Sequence, residues 1–217
     1  MKTTDFMKRE WAMWLVMLVP FVFVLIKWDE FADKVPTHWN IHGEVDRYGG
    51  KWALFLGPMI SLGVYLLMLF VPRIDPRKKN FDLFRGTYWV IRVLITALLS
   101  LVGVITALAA LQVKINAGLI IQASTLCMFL IMGNQFGRIR SNYFVGLRTP
   151  WTLNNEDVWM KTHRFAGRIW VGGSLVMLPV LFLCPSPVST YIYFAYIAVL
   201  AIVPVVYSWK IYKEKQA

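Results

Sequence analysis

The sequence predicts an all-α integral membrane protein, a bundle of six transmembrane helices with both termini on the cytoplasmic side. Composition is the first ground. Of 217 residues, 58% are hydrophobic and only 16% charged, where soluble domains carry about a quarter, and mean hydropathy is +0.54. The second is spacing: apolar runs occupy residues 11–26, 52–71, 88–111, 117–132, 169–184 and 191–209. Each is roughly long enough to cross a hydrocarbon core of about 30 Å, the shorter ones by thinning or snorkelling. The third is the distribution of positive charge, which sets orientation. With the N-terminus inside, the inner side collects Lys2, Lys8, Arg9, Arg73, Arg77, Lys78, Lys79, Arg85, Arg138, Arg140, Arg148, Lys161, Arg164, Arg168, Lys210, Lys213 and Lys215. The outer side holds only Lys27, Lys34, Arg47, Lys51 and Lys114, with Asp29, Glu30, Asp33, Glu44 and Asp46 in its first loop.

The net charge of +11 is accounted for by those inner loops, so direct nucleic-acid binding is not implied. Cys127 and Cys184 lie in separate apolar runs, which argues against a disulfide or metal pair. Residues 11–26 lack a small-residue cleavage site and are followed by Lys27-Trp28-Asp29-Glu30. They read as an uncleaved first span with Pro20 as a potential kink. Arg92 falls about one turn inside the third run and is expected to snorkel to the headgroups. Short connections at 113–116 and 185–190 predict antiparallel neighbours. Gly57, Gly63, Gly103, Gly133, Gly172 and Gly173 offer small surfaces for close helix approach. Two units are expected: 1–87 with an outer loop at 27–51, and 88–217 with an inner loop and surface helix at 134–168.

The longest patterned polar run is 146–167. Pro150 holds Thr149 extended, Asn154 is placed to cap a helix, and Glu156 and Asp157 suit its first turn. Leu153 and Val158 form a potential hydrophobic staple. Val158, Trp159, Thr162, Phe165, Ala166 and Ile169 recur at helical spacing opposite Lys161, Arg164 and Arg168, predicting a helix that lies on the membrane surface before entering it.

Gly146-Leu147-Arg148-Thr149-Pro150-Trp151-Thr152-Leu153, followed by Glu156, Val158-Trp159 and Arg164-Phe165-Ala166, resembles the signature of the SdpI family. These are bacterial membrane proteins named for an immunity protein against a secreted toxic peptide. Val35-Pro36-Thr37-His38-Trp39-Asn40, with Gly43, Asp46 and Lys51, resembles an N-terminal domain often fused to such proteins. The resemblance implies immunity to a membrane-active toxic peptide, with the loop around His38–Lys51 sensing the peptide. It also implies a receptor role, in which residues 148–168 hold a cytoplasmic repressor at the membrane.

Arg148 needs an acceptor for its five donors: Glu156 or Asp157, free backbone carbonyls, or a lipid phosphate. Pinning of the loop and contact with a partner both remain open. Trp151 and Trp159 read as interface anchors or, less simply, as a ligand cage. Asn134, beside Gly133, reads as a helix C-terminal cap, and His163 as an interfacial side chain. His38, His42 and Asp46 have the spacing of a metal set on a helix, but Pro36, Gly43 and Gly49-Gly50 make the segment a loop. There Asn40, Gly43 and Asp46 suit turn hydrogen bonds, with Trp39, Tyr48 and Trp52 at headgroup level.

No cofactor is implied. Nucleophile–base motifs are absent, which speaks against an enzyme, and the apolar runs show no paired acids of the kind proton-coupled transporters use. The alternatives are a small transporter or lipid-handling envelope-stress protein and, behind it, a metal-dependent enzyme using His38, His42 and Asp46.

Overall fold

The computed structural model describes residues 3–216, with side chains from residue 10 onward. Lys2 therefore lies outside the described residues, and Lys8 and Arg9 are described by backbone alone. Helix α1 (Thr3–Ile26) is followed by strands β1 (Lys34–Trp39) and β2 (Val45–Gly50), then by helix α2 (Leu56–Ile74). The four-residue α3 (Asn80–Leu83) precedes α4 (Arg85–Ala110), α5 (Ala117–Gln135), the short α6 (Pro150–Asn154), α7 (Glu156–Leu183) and α8 (Val188–Glu214). Among the described residues five helical stretches are long and apolar enough to cross a membrane, while the apolar part of α1, Glu10–Ile26, is shorter.

The all-α expectation needs one correction. Residues 34–50, read as an irregular loop, form an antiparallel hairpin, with Val35 opposite Gly49 and Trp39 opposite Val45. Val35, Thr37, Trp39, Val45 and Tyr48 favour strands, and the turn supplies the reversal. Asn40 Oδ1 accepts from the N–H groups of His42 (2.9 Å) and Glu44 (3.1 Å), and Gly43 takes φ +80°, a conformation that glycine adopts freely.

Two compact units emerge, on a partition that cuts through helices: residues 1–67 with 92–124, and 68–91 with 125–217. In the first, Val24, Phe31, Val35, Leu54 and Ala107 are buried together, so the hairpin base shares a core with α1 and α4. Gly57 and Gly103 allow α2 and α4 to touch along their backbones; a Cβ on Gly57 would lie 3.1 Å from the Gly103 Cα. Nearby, Ser61 Oγ donates to the Thr96 carbonyl at 3.2 Å and meets Ser100 Oγ at 3.0 Å.

Arg92 does not snorkel. It is 6% exposed and forms an ion pair with Glu10, which is itself buried. The other Glu10 oxygen accepts from the Tyr65 hydroxyl at 2.7 Å. In hydrocarbon an inward carboxylate outcompetes distant headgroups for a guanidinium, because neither charge can be left without a partner. Helix α1 carries Glu10 inward to this pair.

In the second unit, Gly133 and Gly167 bring α5 against α7, where a Cβ on Gly133 would lie 3.0 Å from the Gly167 carbonyl oxygen and 2.8 Å from Trp170 Cβ. Trp170 packs between Phe129 and Phe136, with each pair of ring centroids 4.5 Å apart. Helix α8 returns beside α7, its Tyr196 hydroxyl donating to the Trp170 carbonyl at 3.0 Å.

Candidate functional site

The patterned run folds as one loop clamped onto the start of α7. Its first clamp is a histidine. Leu147 N–H donates to His163 Nε2 at 3.0 Å, and His163 Nδ1 lies 2.8 Å from the Trp159 carbonyl. An N–H can only donate, so Nε2 is the acceptor and the ring proton sits on Nδ1. Both nitrogens are occupied, and His163 holds the loop. Its ring stacks on Trp159 with centroids 4.2 Å apart. Gly146, at φ +110°, passes directly over the imidazole, where any Cβ would collide with Nε2.

Thr149 supplies the next clamp. It caps α6 through a box in which its Oγ1 accepts from Thr152 N–H at 3.2 Å, while Thr152 Oγ1 accepts from Thr149 N–H at 2.9 Å. Pro150 takes the first helical position, where its missing N–H costs nothing. Thr149 Oγ1 also reaches Ser208 Oγ of α8 at 3.1 Å. Asn155, and not Asn154, caps α7, accepting from Asp157 and Val158 N–H at 3.0 and 3.1 Å. The α6 turn consumes Asn154 as its last residue, which shifts the cap by one.

The upstream half of the loop is held by Asn142 from within and by Asp75, Arg77 and Asn80 from the segment after α2. Asn142, fully buried, accepts from Phe144 and Val145 N–H at 2.9 and 2.6 Å. Its amide donates to the Arg140 and Val145 carbonyls at 2.8 and 3.0 Å. Asp75 Oδ2 accepts from Tyr143 N–H at 2.8 Å while Oδ1 accepts from Arg77 N–H at 2.6 Å. Arg77 then donates to Ser141 Oγ and, at 2.8 Å, to the Leu153 carbonyl. Asn80 Nδ2 adds a bond to the Ser141 carbonyl at 2.6 Å. Nothing local marks the loop contacts of Asp75, Arg77 and Asn80 in the sequence, because those partners lie more than sixty positions away.

Several expectations change. The surface helix is instead the first half of the continuous α7, and Trp159 and His163 are fully buried. Trp159 is no interface anchor: its Nε1 donates to the Ile139 carbonyl at 2.8 Å. Trp151 is half-buried. Asn134 is exposed within α5 and does not cap it; a turn at Phe136–Arg138 ends that helix. Arg148 Nη1 donates to the Tyr143 carbonyl at 2.6 Å. Asp157 pairs with Lys161 and Lys215 at 3.0 and 2.5 Å. Arg148, Glu156 and Arg164 are exposed.

In the hairpin, His38 Nδ1 meets Asp46 Oδ1 at 2.6 Å across the strands. Lys51 Nζ lies over the Trp28 ring at 4.6 Å. Among the described residues no three His, Cys, Asp or Glu side chains come close enough to share a metal ion. The His38–His42–Asp46 metal set is thereby corrected: spacing on a helix does not carry over to a hairpin, where His42 belongs to the turn.

Trp159 yields a sharp contrast with Trp170, whose Nε1 is buried without a hydrogen-bond partner. Trp159→Phe leaves the buried Ile139 carbonyl unsatisfied and is expected to destabilise by about 1–3 kcal/mol. Trp170→Phe removes a similar ring area but no hydrogen bond, and should cost less. Thermal unfolding of both variants in the same detergent checks the order.

Long apolar helices and a tightly clamped polar loop between two of them define a multi-pass cell-membrane protein. Residues 138–208, which contain the loop and its histidine, match the model of the SdpI/YfhL protein family. Residues 15–62, which contain the hairpin, match a domain of unknown function, DUF1648. The chain is 26% identical over 165 residues to the immunity protein SdpI of Bacillus subtilis (strain 168), covering 76% of this chain and 77% of that protein. No solved structure matches.

Proposed function

We propose that this chain is a membrane immunity protein acting against a secreted, membrane-active toxic peptide. In this reading six helices cross the membrane with both termini inside, and the hairpin around His38–Lys51 meets the peptide outside. The clamped loop faces the cytoplasm and docks a repressor protein. One observation carries the second half: a loop whose backbone is bound on every side still exposes Tyr143, Phe144 and Arg148. A rigid loop with an outward aromatic pair and guanidinium is preorganised for a protein partner. The basic surroundings suit an acidic patch on that partner. Kinship with an immunity protein favours a non-enzymatic role.

The test is survival of toxin-sensitive cells expressing the protein, beside Arg148→Ala matched for membrane level. Protection by the wild type with a several-fold loss in the variant is the expected result. Equal protection would keep immunity and remove Arg148 from it. Failure of the wild type against every available peptide toxin would overturn the reading and favour a small transporter or lipid-handling role.

A further inference from the structure

A polar cleft of about 510 Å³ opens where the first turn of α4 meets the end of α5. Arg85, Thr87, Gln135, Arg138 and Arg140 line it, with Asp82 at one side. Asp82 pairs with Arg85 at 2.5 Å. Arg138 contacts only the Gln135 amide oxygen, at 3.4 Å, and Arg140 only the Met160 sulfur, also at 3.4 Å. Among the described residues neither has an acidic partner. The lining thus carries three guanidinium groups against one carboxylate. Thr87 Oγ1 donates to the same Gln135 oxygen at 3.0 Å, which orients that amide and leaves its NH2 group as a further donor. Gly86 adds no side chain, and open space lies where its Cβ would be. The cleft sits at the start of the 26-residue α4, whose dipole adds positive potential there.

We propose that this cleft is a phosphate-binding site. Guanidinium forks match phosphate oxygens in geometry and charge, and two guanidinium groups without acidic partners in one cleft favour an anion there. The cleft lies at the ends of two helices long enough to cross a membrane, the level at which phospholipid headgroups stand. A phosphodiester of an anionic lipid and a soluble phosphate share this chemistry.

The purified full chain in zwitterionic detergent is titrated with phosphatidylglycerol and with phosphatidylcholine, and bound lipid is counted by native mass spectrometry. Phosphatidylglycerol is expected to bind at least tenfold more tightly, and Arg138→Gln/Arg140→Gln to lose about tenfold or more. The charge-matched control Lys210→Gln/Lys213→Gln should bind like the wild type, and Arg138→Lys/Arg140→Lys should retain part of the affinity. Thermal unfolding without lipid verifies that the variants fold. Displacement of the lipid by millimolar inorganic phosphate would show that soluble phosphate reaches the same site; no displacement assigns the site to the lipid headgroup. Equal loss in the cleft and control variants, or no preference for phosphatidylglycerol, would overturn the proposal. The result is independent of toxin protection, so the two readings fail separately.

Discussion

Arg92→Met is expected to destabilise the protein by about 3–5 kcal/mol, the cost of stranding a buried charge by removing its partner. The Glu10 carboxylate would be left with the Tyr65 hydroxyl alone, in a setting where neither group reaches water. Glu10→Gln keeps one oxygen to accept from the guanidinium and turns an NH2 toward the Tyr65 hydroxyl oxygen, but it strands the Arg92 charge, so a loss of similar size is expected. The double variant Glu10→Leu/Arg92→Met should recover most of the loss, because burying two apolar groups avoids desolvating two ions. A double-mutant cycle from chemical or thermal unfolding in detergent measures the coupling directly. A single Arg92→Met variant within about 0.5 kcal/mol of wild type, the range of ordinary surface changes, would show that the pair is not what holds α1 to α4.

The second large effect is expected at Gly146. Gly146→Ala would place a Cβ on the His163 Nε2 and force a non-glycine residue to φ +110°. Strain of about 1–3 kcal/mol adds to the loss of the Leu147–His163 bond, with both partners left buried at about 1–3 kcal/mol. His163→Phe keeps the stacking on Trp159 but removes both the acceptor for Leu147 and the Nδ1–H donor to the Trp159 carbonyl, so it loses hydrogen bonds without the backbone strain. The loop would then lose its register, and toxin protection should fall with the order of binding even where the protein still reaches the membrane. Unfolding free energies of both variants, with membrane levels measured beside survival, check this. If Gly146→Ala unfolds like the wild type, the close approach of loop to imidazole is wrong.

Much of the architecture was legible because burial in lipid imposes a rule readable one residue at a time. A helix that satisfies its own backbone must present a long apolar stretch. Hence the apolar runs coincide with the helices, and Gly133 and Gly57 mark places where helices touch. The patterned run 146–167 was legible for a related reason: Thr149-Pro150 and the Asn155-Glu156-Asp157 step are local devices whose partners lie within a few residues. Even there, one turn of α6 moved the cap from Asn154 to Asn155.

The rest depended on distance. Glu10 and Arg92 stand 82 positions apart, and Asp75 and Tyr143 stand 68 apart. A charged residue near the end of an apolar run reads equally well as solvated, snorkelling or paired, because its sequence neighbours are the same in all three cases. Trp159 sits on a helix face whose periodicity marked it as apolar without showing what covers it, and His163 fell outside that pattern. Composition and periodicity by themselves determined that this chain lives in a membrane and where most of its helices run, since transfer from water to lipid is nearly additive over residues. Only the tertiary structure decided which polar groups find one another inside, because a buried hydrogen bond or ion pair is stabilising only when both partners arrive, and chain order does not say who the partner is.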